Sequence, residues 1–219
     1  MAGLSDLDYD YLEFRTVPFY EAFFGSVLDY IYPSDKNILE LASGTGFLTE
    51  MIVKKFPDLQ ITCVDNDTEM IFLAKKKPKL SGVGFIAGDM REFKKSGFDV
   101  VVITQAVFSL SDSEIESFFE KIHGVLNEGG RFIIGDMFAP ETFFERTLYK
   151  KLWTDYMIKN GLSPENAREM LSPLDDYFRE NTVRSFVSKL EDFGFSPVIS
   201  PYRFWYYAVV AGWKQKVGL

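Results

Sequence analysis

The residues that could do chemistry lie in one short run, Glu40-Leu41-Ala42-Ser43-Gly44-Thr45-Gly46. Its first two residues close a mainly apolar stretch that begins at Ile38. The run precedes a segment in which Phe47, Leu48, Met51 and Ile52 recur at helical spacing. This pattern predicts a strand, a tight loop and the first turn of a helix. Gly44 and Gly46 lack Cβ atoms, so a ligand can approach the main chain there. In open parallel sheets such a loop lies beyond the carboxyl ends of the strands, where ligands bind.

Three kinds of ligand compete for a loop of this type. A Walker A phosphate loop ends in Gly-Lys-Ser/Thr, but the first lysine after this loop is Lys54. A dinucleotide loop favours a third small residue at the position where Thr49 stands. A nucleoside without phosphates needs no third glycine. It also accounts for Glu40, whose acidic side chain would repel a pyrophosphate but could orient a cationic amino-acid group.

Two more acids follow predicted strands in the same way. Asp65 ends the apolar run 59–64 and lies 19 residues beyond Gly46, close to the offset of about 20 expected for a ribose-binding carboxylate. Asp67 is better placed to cap the next helix. Asp89 follows the predicted strand 83–87. We therefore expect Glu40, Asp65 and Asp89 at the ends of three successive strands.

With these residues in place, the chain resembles the class I S-adenosylmethionine-dependent methyltransferases. Their first motif, a hydrophobic run followed by Glu/Asp-x-Gly-x-Gly-x-Gly, is matched from Glu40 to Gly46, with Ala42 in place of the first glycine. The resemblance implies S-adenosyl-L-methionine as the cofactor, S-adenosyl-L-homocysteine as the product and a small molecule as the methyl acceptor. The chain is similar in particular to the methyltransferases of quinone biosynthesis. With one cysteine and one histidine, no thiolate or histidine-rich metal site is expected.

The resemblance also assigns residues to the cofactor. It implies that Met70 packs on the adenine face, that Asp89 binds the adenine amino group and that Met90 makes a backbone contact with the ring. Gln105 and Ala106 are expected near the sulfonium. The full set of expected cofactor residues is Glu40, Ala42, Ser43, Gly44, Thr45, Gly46, Asp65, Asn66, Met70, Gly88, Asp89, Met90, Gln105 and Ala106.

The order of elements predicts an α/β fold: a doubly wound, mostly parallel seven-stranded sheet with a C-terminal antiparallel strand pair. Strands are predicted at 38–42, 59–64, 83–87, 98–104 and 131–136, and a capping box of Ser111 and Glu114 starts a helix. The closing pair is predicted at 195–199 and 204–213, with a turn at Ser200-Pro201-Tyr202.

We expect one methyltransferase domain over residues 1–219. Its parts are an N-terminal helical cap (1–35), a cofactor-binding core (36–136), a helical lid inserted after strand five (137–180), and the last helix with the closing strands (181–219). Within the insertion, Phe144, Leu148, Leu152 and Tyr156 recur every four residues and predict one apolar helix face.

The catalytic residues are harder to infer. Asp136, at the tip of predicted strand five, is the candidate general base, and Tyr149 and Tyr156 are weaker candidates. Many small-molecule members of the family place a histidine after strand four, where this chain has Phe108. The single histidine, His123, is expected to be solvated on a helix. The predicted substrate-pocket wall consists of Tyr11, Phe108, Phe143 and Trp153.

Composition limits the partners. The formal net charge of −8 and the pI near 4.8 disfavour nucleic acid, and the basic segment 75–79 is interpreted as the cationic end of a helix. Cys63 is the single cysteine, which excludes an intrachain disulfide. No apolar run reaches the ~18 residues of a membrane helix and no signal pattern is present, so a cytoplasmic protein without a membrane span is expected.

Several alternatives remain open from the sequence. One is an enzyme of the same fold that uses the cofactor for aminopropyl or carboxymethyl chemistry. Others are a non-catalytic module that binds an adenosyl ligand and, weakened by Thr49, an NAD-dependent dehydrogenase. The acceptor atom and the oligomeric state are not determined by the sequence.

Overall fold

A seven-stranded sheet forms the centre of the computed structural model, which describes residues 6–172 and 181–215. The strand order is β3-β2-β1-β4-β5-β7-β6. The strands are β1 (Asn37–Leu41), β2 (Gln60–Asp65), β3 (Gly84–Ala87), β4 (Phe98–Thr104), β5 (Leu126–Met137), β6 (Phe195–Phe204) and β7 (Tyr207–Lys214).

The topology confirms the predicted fold class. β1 pairs in parallel with both β2 and β4, whereas β7 is antiparallel to its neighbours β5 and β6. The chain builds the sheet outward from β1 to β3 and then returns to place β4 on the other side of β1. This reversal creates a crevice between the ends of β1 and β4, the place where open α/β sheets bind ligands.

Helices cover both faces of the sheet. Among the described residues, two helices precede β1, two follow β5 in the predicted insertion, and the Ser111–Glu114 capping box is present at the start of α5. The α-helices of this part of the chain are α1 (Asp6–Thr16), α2 (Tyr20–Leu28), α3 (Phe47–Lys55), α4 (Thr68–Lys76), α5 (Asp112–Val125), α6 (Phe143–Lys159), α7 (Pro164–Leu171) and α8 (Val183–Asp192).

Two apolar layers hold the helices to the sheet. Successive strand residues point to opposite faces, so Ile38 of β1 packs in the layer that contains α2, while Leu39 packs in the layer that contains α5 and α8. The four residues Val100, Val101, Val102 and Ile103 of β4 have no exposed surface. A central strand buried on both faces explains why β4 is a continuous apolar run rather than an alternating one.

The predicted turn at Ser200-Pro201-Tyr202 is wrong. These residues lie inside β6, and the chain reverses at Trp205 and Tyr206 instead. The pairing of β6 with β7 shifts register between Ile199 and Tyr202. Because β6 is an edge strand, such an irregularity can accommodate Pro201 without the loss of a ladder hydrogen bond. A proline in an apolar segment therefore marked a bulge and not the end of the strand.

The predicted apolar face of α6 is also not the buried one. Phe144 is 73% exposed and Leu148 is 38% exposed, whereas Trp153 and Met157 are buried. The indole Nε1 of Trp153 donates to the carbonyl oxygen of Thr16 at 2.7 Å. The C-terminal half of α6 therefore supplies its buried side chains, and it docks against the end of α1.

We predict that Phe23→Ala lowers the free energy of unfolding by about 3–5 kcal/mol, the usual cost of removing a buried aromatic side chain. Phe23 is fully buried, and its ring meets those of Phe24, Tyr202 and Tyr207 at centroid distances of 4.9, 5.9 and 5.2 Å. Urea unfolding followed by circular dichroism measures the change. The matched control is Phe72→Ala at a position 58% exposed, where about 0.5 kcal/mol or less is expected. Equal effects of the two substitutions would contradict the assigned packing.

Candidate functional site

Two adjoining cavities lie at the crevice between β1 and β4, and Ala42 lines both of them. The first cavity has a volume of about 210 Å³ and is lined by Ala42, Val64, Asp65, Asn66, Asp89, Met90, Arg91, Ala106, Ser109 and Leu110. The second has a volume of about 90 Å³ and is lined by Glu13, Phe24, Glu40, Ala42, Ser43, Gly44, Thr45, Phe47, Leu48, Thr104 and Gln105.

The loop after β1 borders both cavities through Ala42. Ala42 has a left-handed backbone with φ 52°, a conformation that costs a non-glycine residue about 1–2 kcal/mol. Strain of this kind is concentrated at functional sites. Gly46, with φ 77°, precedes α3, and a Cβ there would lie 2.6 Å from Leu80 Cδ1. Gly46 is therefore required for the helix to pack, although it does not line either cavity.

Asp65 shapes this loop from the neighbouring strand. Its carboxylate accepts hydrogen bonds from the backbone N–H of Gly44 at 2.7 Å and of Asp67 at 2.8 Å, and the residue is 8% exposed. Asp67 in turn caps α4, as predicted, by accepting from the N–H groups of Glu69 and Met70. Asp65 therefore lines the first cavity and also holds the loop that forms the second.

Glu40 lies at the end of β1 and is 2% exposed. Its Oε2 accepts a hydrogen bond from Thr49 Oγ1 at 2.7 Å. Burial raises the pKa of Glu40 to about 7, although the hydrogen bond from Thr49 acts in the opposite direction. The sequence analysis considered Thr49 only as a missing glycine. Its hydroxyl in fact fixes the carboxylate, which no local pattern indicated.

Asp89 lines the first cavity, but its carboxylate is already paired. Arg91 Nε donates to Asp89 Oδ1 at 2.9 Å, and the same guanidinium also pairs with Glu114. The hydrogen bond from Arg91 is the main reason that the pKa of Asp89 lies below its usual value. This side chain is therefore held as an anion at the cavity wall.

The loop after β4 contacts Glu13 of α1, a residue that the sequence analysis missed. Gln105 has φ 53°, and its Nε2 donates to Glu13 Oε2 of α1 at 2.8 Å. On the other side, the hydroxyl of Tyr207 donates to Gln105 Oε1 at 3.5 Å. Burial is the largest cause of the raised pKa of Glu13, which the hydrogen bond from Gln105 partly offsets. In the sequence, Glu13 lies in an aromatic and acidic N-terminal segment and no local pattern distinguishes it from the other acids there. Only its tertiary contact with Gln105 identifies it.

The expected role of Asp136 as an accessible general base does not fit its surroundings. Asp136 is 1% exposed, and its Oδ2 accepts from the backbone N–H groups of Ala106, Val107 and Phe108 at 3.1, 2.7 and 3.3 Å. Its Oδ1 accepts from the N–H of Met137 at 2.7 Å. Burial raises the pKa of Asp136 to about 7, against the effect of these four donors. Both oxygens face the main chain, so the carboxylate positions the loop after β4.

The weaker candidates for a base are also engaged in structural contacts. The hydroxyl of Tyr149 donates to Glu145 on the same helix at 3.5 Å, and that of Tyr156 donates to the carbonyl oxygen of Val17 at 3.3 Å. His123 lies on α5 with its ring against Phe195, at a centroid distance of 5.3 Å.

The four residues predicted for the substrate-pocket wall line neither cavity. Tyr11 is 60% exposed and lies beneath the Arg15 guanidinium. Phe143 is 83% exposed at the first position of α6. Trp153 is buried against Tyr206 and Tyr207 and supports α1. Phe108 packs into the core beside the β4 loop. Among the expected cofactor residues, Met70 and Gly88 also lie outside both cavity walls.

The second cavity has the polar character that a charged amino-acid group requires. Glu13 and Glu40 are acidic, and no lysine or arginine is among the described residues that line this cavity. Ser43 Oγ is buried and has no hydrogen-bond partner within residues 6–172 and 181–215. A buried hydroxyl without a partner is costly, so a polar ligand in this cavity would satisfy it. The donors and acids together suit a zwitterion that carries extra positive charge.

Two features are absent from the described residues. No helix there is both long and apolar enough to cross a membrane. No group of three or more His, Cys, Asp or Glu side chains in the same part of the chain could hold a metal ion.

We predict that Asp136→Asn lowers the free energy of unfolding by about 1–3 kcal/mol. An asparagine places an N–H₂ donor where the carboxylate accepts from a backbone N–H, so buried donors are left without an acceptor. Urea unfolding measures the change. Asp155→Asn, at an exposed ion pair with Lys151, is the matched control and should change stability by about 0.5 kcal/mol or less. A variant at position 136 as stable as the wild type would contradict this role.

Comparison with known proteins identifies the domain that contains most of the cavity residues. A family model described as a methyltransferase domain matches residues 38–130. Carboxy-S-adenosyl-L-methionine synthase of Nautilia profundicola is 25% identical over 205 residues, which are 91% of this chain and 88% of that protein. Malonyl-[acyl-carrier protein] O-methyltransferase of Priestia megaterium is 36% identical over 108 residues, 49% of this chain and 39% of that protein.

A solved structure shows the same fold over nearly the whole length. DhpI in complex with SAH superposes with a TM-score of 0.65 and 17% identity, covering 96% of this chain and 93% of that one. The matched domain contains β1 with its glycine loop, β2, β3 and β4, which carry most of the residues around the two cavities. Residues 38–130 therefore match a methyltransferase domain, and the chain is an enzyme that uses S-adenosylmethionine.

Proposed function

We propose that this protein transfers the sulfonium methyl group of S-adenosylmethionine to a small-molecule acceptor. The observation that carries the proposal is the pair of adjoining cavities at the β1–β4 crevice, one lined by Asp65 and Asp89 and the other by Glu13 and Glu40. The first suits an adenosine and the second suits a cationic amino-acid group. Ala42, which lines both, has no side chain beyond Cβ to separate them.

The cofactor would span both cavities, with its adenosine in the first and its amino-acid group in the second. In this proposal Asp65 accepts hydrogen bonds from the ribose, and Asn66, Asp89 and Met90 surround the adenine. Ser43 supplies a hydroxyl, and Glu40 supplies a carboxylate for the ammonium group. Gly44, with φ 53°, lets the ligand lie against the main chain.

The protein's contribution to such a reaction is mainly position and exclusion of water. The bound cofactor supplies an activated methyl group. In favourable cases, holding two reactants in line is worth ~7–11 kcal/mol. The N-terminal helix covers the second cavity, since Asp10 accepts from Thr45 Oγ1 at 2.6 Å and Glu13 accepts from Gln105. We propose that the acceptor enters beside this helix.

A second candidate function is synthesis of a carboxylated cofactor. A relative that matches 91% of this chain is named carboxy-S-adenosyl-L-methionine synthase. The O-methyltransferase relative matches 49% of this chain. A carboxylate on the sulfonium substituent would favour a cationic partner. The described lining of the second cavity offers two acids and no lysine or arginine, which favours methyl transfer.

Liquid chromatography with mass spectrometry distinguishes the two functions. The purified protein is incubated with methyl-deuterated S-adenosylmethionine, alone and with a panel of small alcohols, phenols, carboxylic acids and amines. Methyl transfer produces S-adenosylhomocysteine and a labelled acceptor. In the second function a carboxylic acid of the panel gives up CO2, which bonds to the methyl carbon as that carbon loses one deuteron, and the product is a carboxylated adenosyl sulfonium compound. Asp65→Ala should lose either product. Appearance of the carboxylated compound without S-adenosylhomocysteine would overturn the proposal.

We predict that the affinity for S-adenosylmethionine rises with pH up to about 7 and is level above it. The pKa of Glu40 is about 7 in the free protein, and a bound ammonium group would favour its ionised form. Below that pH, binding must release a proton, so the affinity can fall by up to about tenfold per unit. Cys63, which faces Glu40, stays a neutral thiol because burial raises its pKa well above the usual value.

Calorimetric titration from about pH 5 to about pH 8 tests this prediction. Glu40→Gln keeps an acceptor for Thr49 but cannot ionise, so the pH dependence should become weaker. Glu116→Gln, on the exposed surface of α5, removes the same charge away from the site and should leave the profile unchanged. The same slope in Glu40→Gln as in the wild type would show that another group is responsible.

A further inference from the structure

We propose that Glu13 of α1 is a specificity-determining residue that distinguishes the positively charged sulfonium of S-adenosylmethionine from the neutral thioether of S-adenosylhomocysteine. This inference rests on the proposed function, because it needs the cofactor in the two cavities. It assigns a role to an acid that lies outside the glycine loop and outside the three strand ends.

Glu13 is held in place at the second cavity. Its Oε2 accepts from Gln105 Nε2 at 2.8 Å, and it shares the cavity wall with Glu40. One turn earlier on α1, Asp10 accepts from Thr45 Oγ1 at 2.6 Å and forms an ion pair with Lys77, also at 2.6 Å. These contacts fix α1 to the loop after β1 and to the end of α4. The helix therefore cannot rotate, and the Glu13 carboxylate stays at the wall of the second cavity.

Within residues 6–172 and 181–215, no lysine or arginine forms an ion pair with Glu13, because the nearby cations are engaged elsewhere. Lys77 pairs with Asp10 and Glu50. Arg15, on the same helix, donates to the carbonyl oxygen of Asn160 at 2.6 Å. The Glu13 carboxylate accepts a hydrogen bond from the neutral side-chain amide of Gln105. A half-buried carboxylate in this position gains stability when a cation enters the cavity.

The two forms of the cofactor differ by one charge in this region. The amino-acid end of S-adenosylmethionine carries an ammonium, a carboxylate and a sulfonium, which sum to +1. When the methyl group leaves, the electron pair of the broken C–S bond stays on sulfur and the sum becomes zero. Glu40 is committed to Thr49 and suits the ammonium group, which is present in both forms. Glu13 is then the acid that responds to the charge on sulfur.

The consequence is a preference for substrate over product. A unit charge near a partly screened carboxylate is worth enough to change an affinity about tenfold. Product release would be helped because the interaction disappears when the methyl group is transferred. Specificity of this kind would reside in α1 and not in the glycine loop.

Calorimetric titration with S-adenosylmethionine, S-adenosylhomocysteine and sinefungin tests the proposal. Sinefungin carries a protonated amine on a carbon in place of the methyl sulfonium. We expect the wild type to bind S-adenosylmethionine and sinefungin about tenfold more tightly than S-adenosylhomocysteine. In Glu13→Gln, which keeps the contact with Gln105, the preference should fall close to one, mainly through weaker binding of the charged ligands. Glu116→Gln should keep the wild-type preference.

Three results would overturn the proposal, and they differ from one another. Equal weakening of all three ligands in Glu13→Gln would mean that the residue only docks α1. Equal binding of sinefungin and S-adenosylhomocysteine to the wild type would exclude charge recognition even if the variant failed to fold. No binding of any adenosyl ligand to the wild type would instead remove the proposed function, and the inference with it.

Discussion

Buried carboxylates that accept backbone N–H groups are the interaction on which the candidate site depends. Asp65 at the end of β2 holds the N–H of Gly44, and Asp136 on β5 holds three successive N–H groups of the loop after β4. A buried carboxylate without donors is very costly, so neither loop can move away without exposing or neutralising its acid. The two loops flank the crevice at the strand reversal, and their shapes define both cavities. The site is therefore organised by the sheet before any ligand binds.

The helices outside the sheet form a second layer of organisation. α1 contacts the cofactor loops through Asp10 and Glu13, and α6 supports α1 from behind. Trp153 of α6 donates to Thr16, and Arg15 donates to Asn160 at the end of α6. Among the described residues, the segment inserted after β5 thus acts on the site mainly through the N-terminal helix. The N-terminal helix and the inserted helix α6, which the sequence assigns to a separate cap and lid, pack against each other.

The same arrangement explains why the cofactor is easier to identify than the acceptor. The strands and loops of residues 38–130, which the methyltransferase-domain model matches, supply most of the residues that line the two cavities. The N-terminal helix, beside which we propose that the acceptor enters, lies outside this segment. Relatives named for different activities, a carboxy-S-adenosyl-L-methionine synthase and an O-methyltransferase, can therefore share this core. Chemistry in such a fold is varied through the segments attached to the core.

The sequence by itself determined the strand–loop–helix order, the glycine loop and the positions of Glu40, Asp65 and Asp89, because apolar periodicity and glycine placement act over neighbouring residues. Only the tertiary structure decided that Asp136 faces backbone amides, that Thr49 binds Glu40, that α6 buries Trp153 and not Phe144, and that Glu13 meets Gln105, 92 residues further along the chain. Which side of a helix docks, and which distant side chain it meets, depends on free energy summed over many contacts between elements. No local window of the sequence contains that sum.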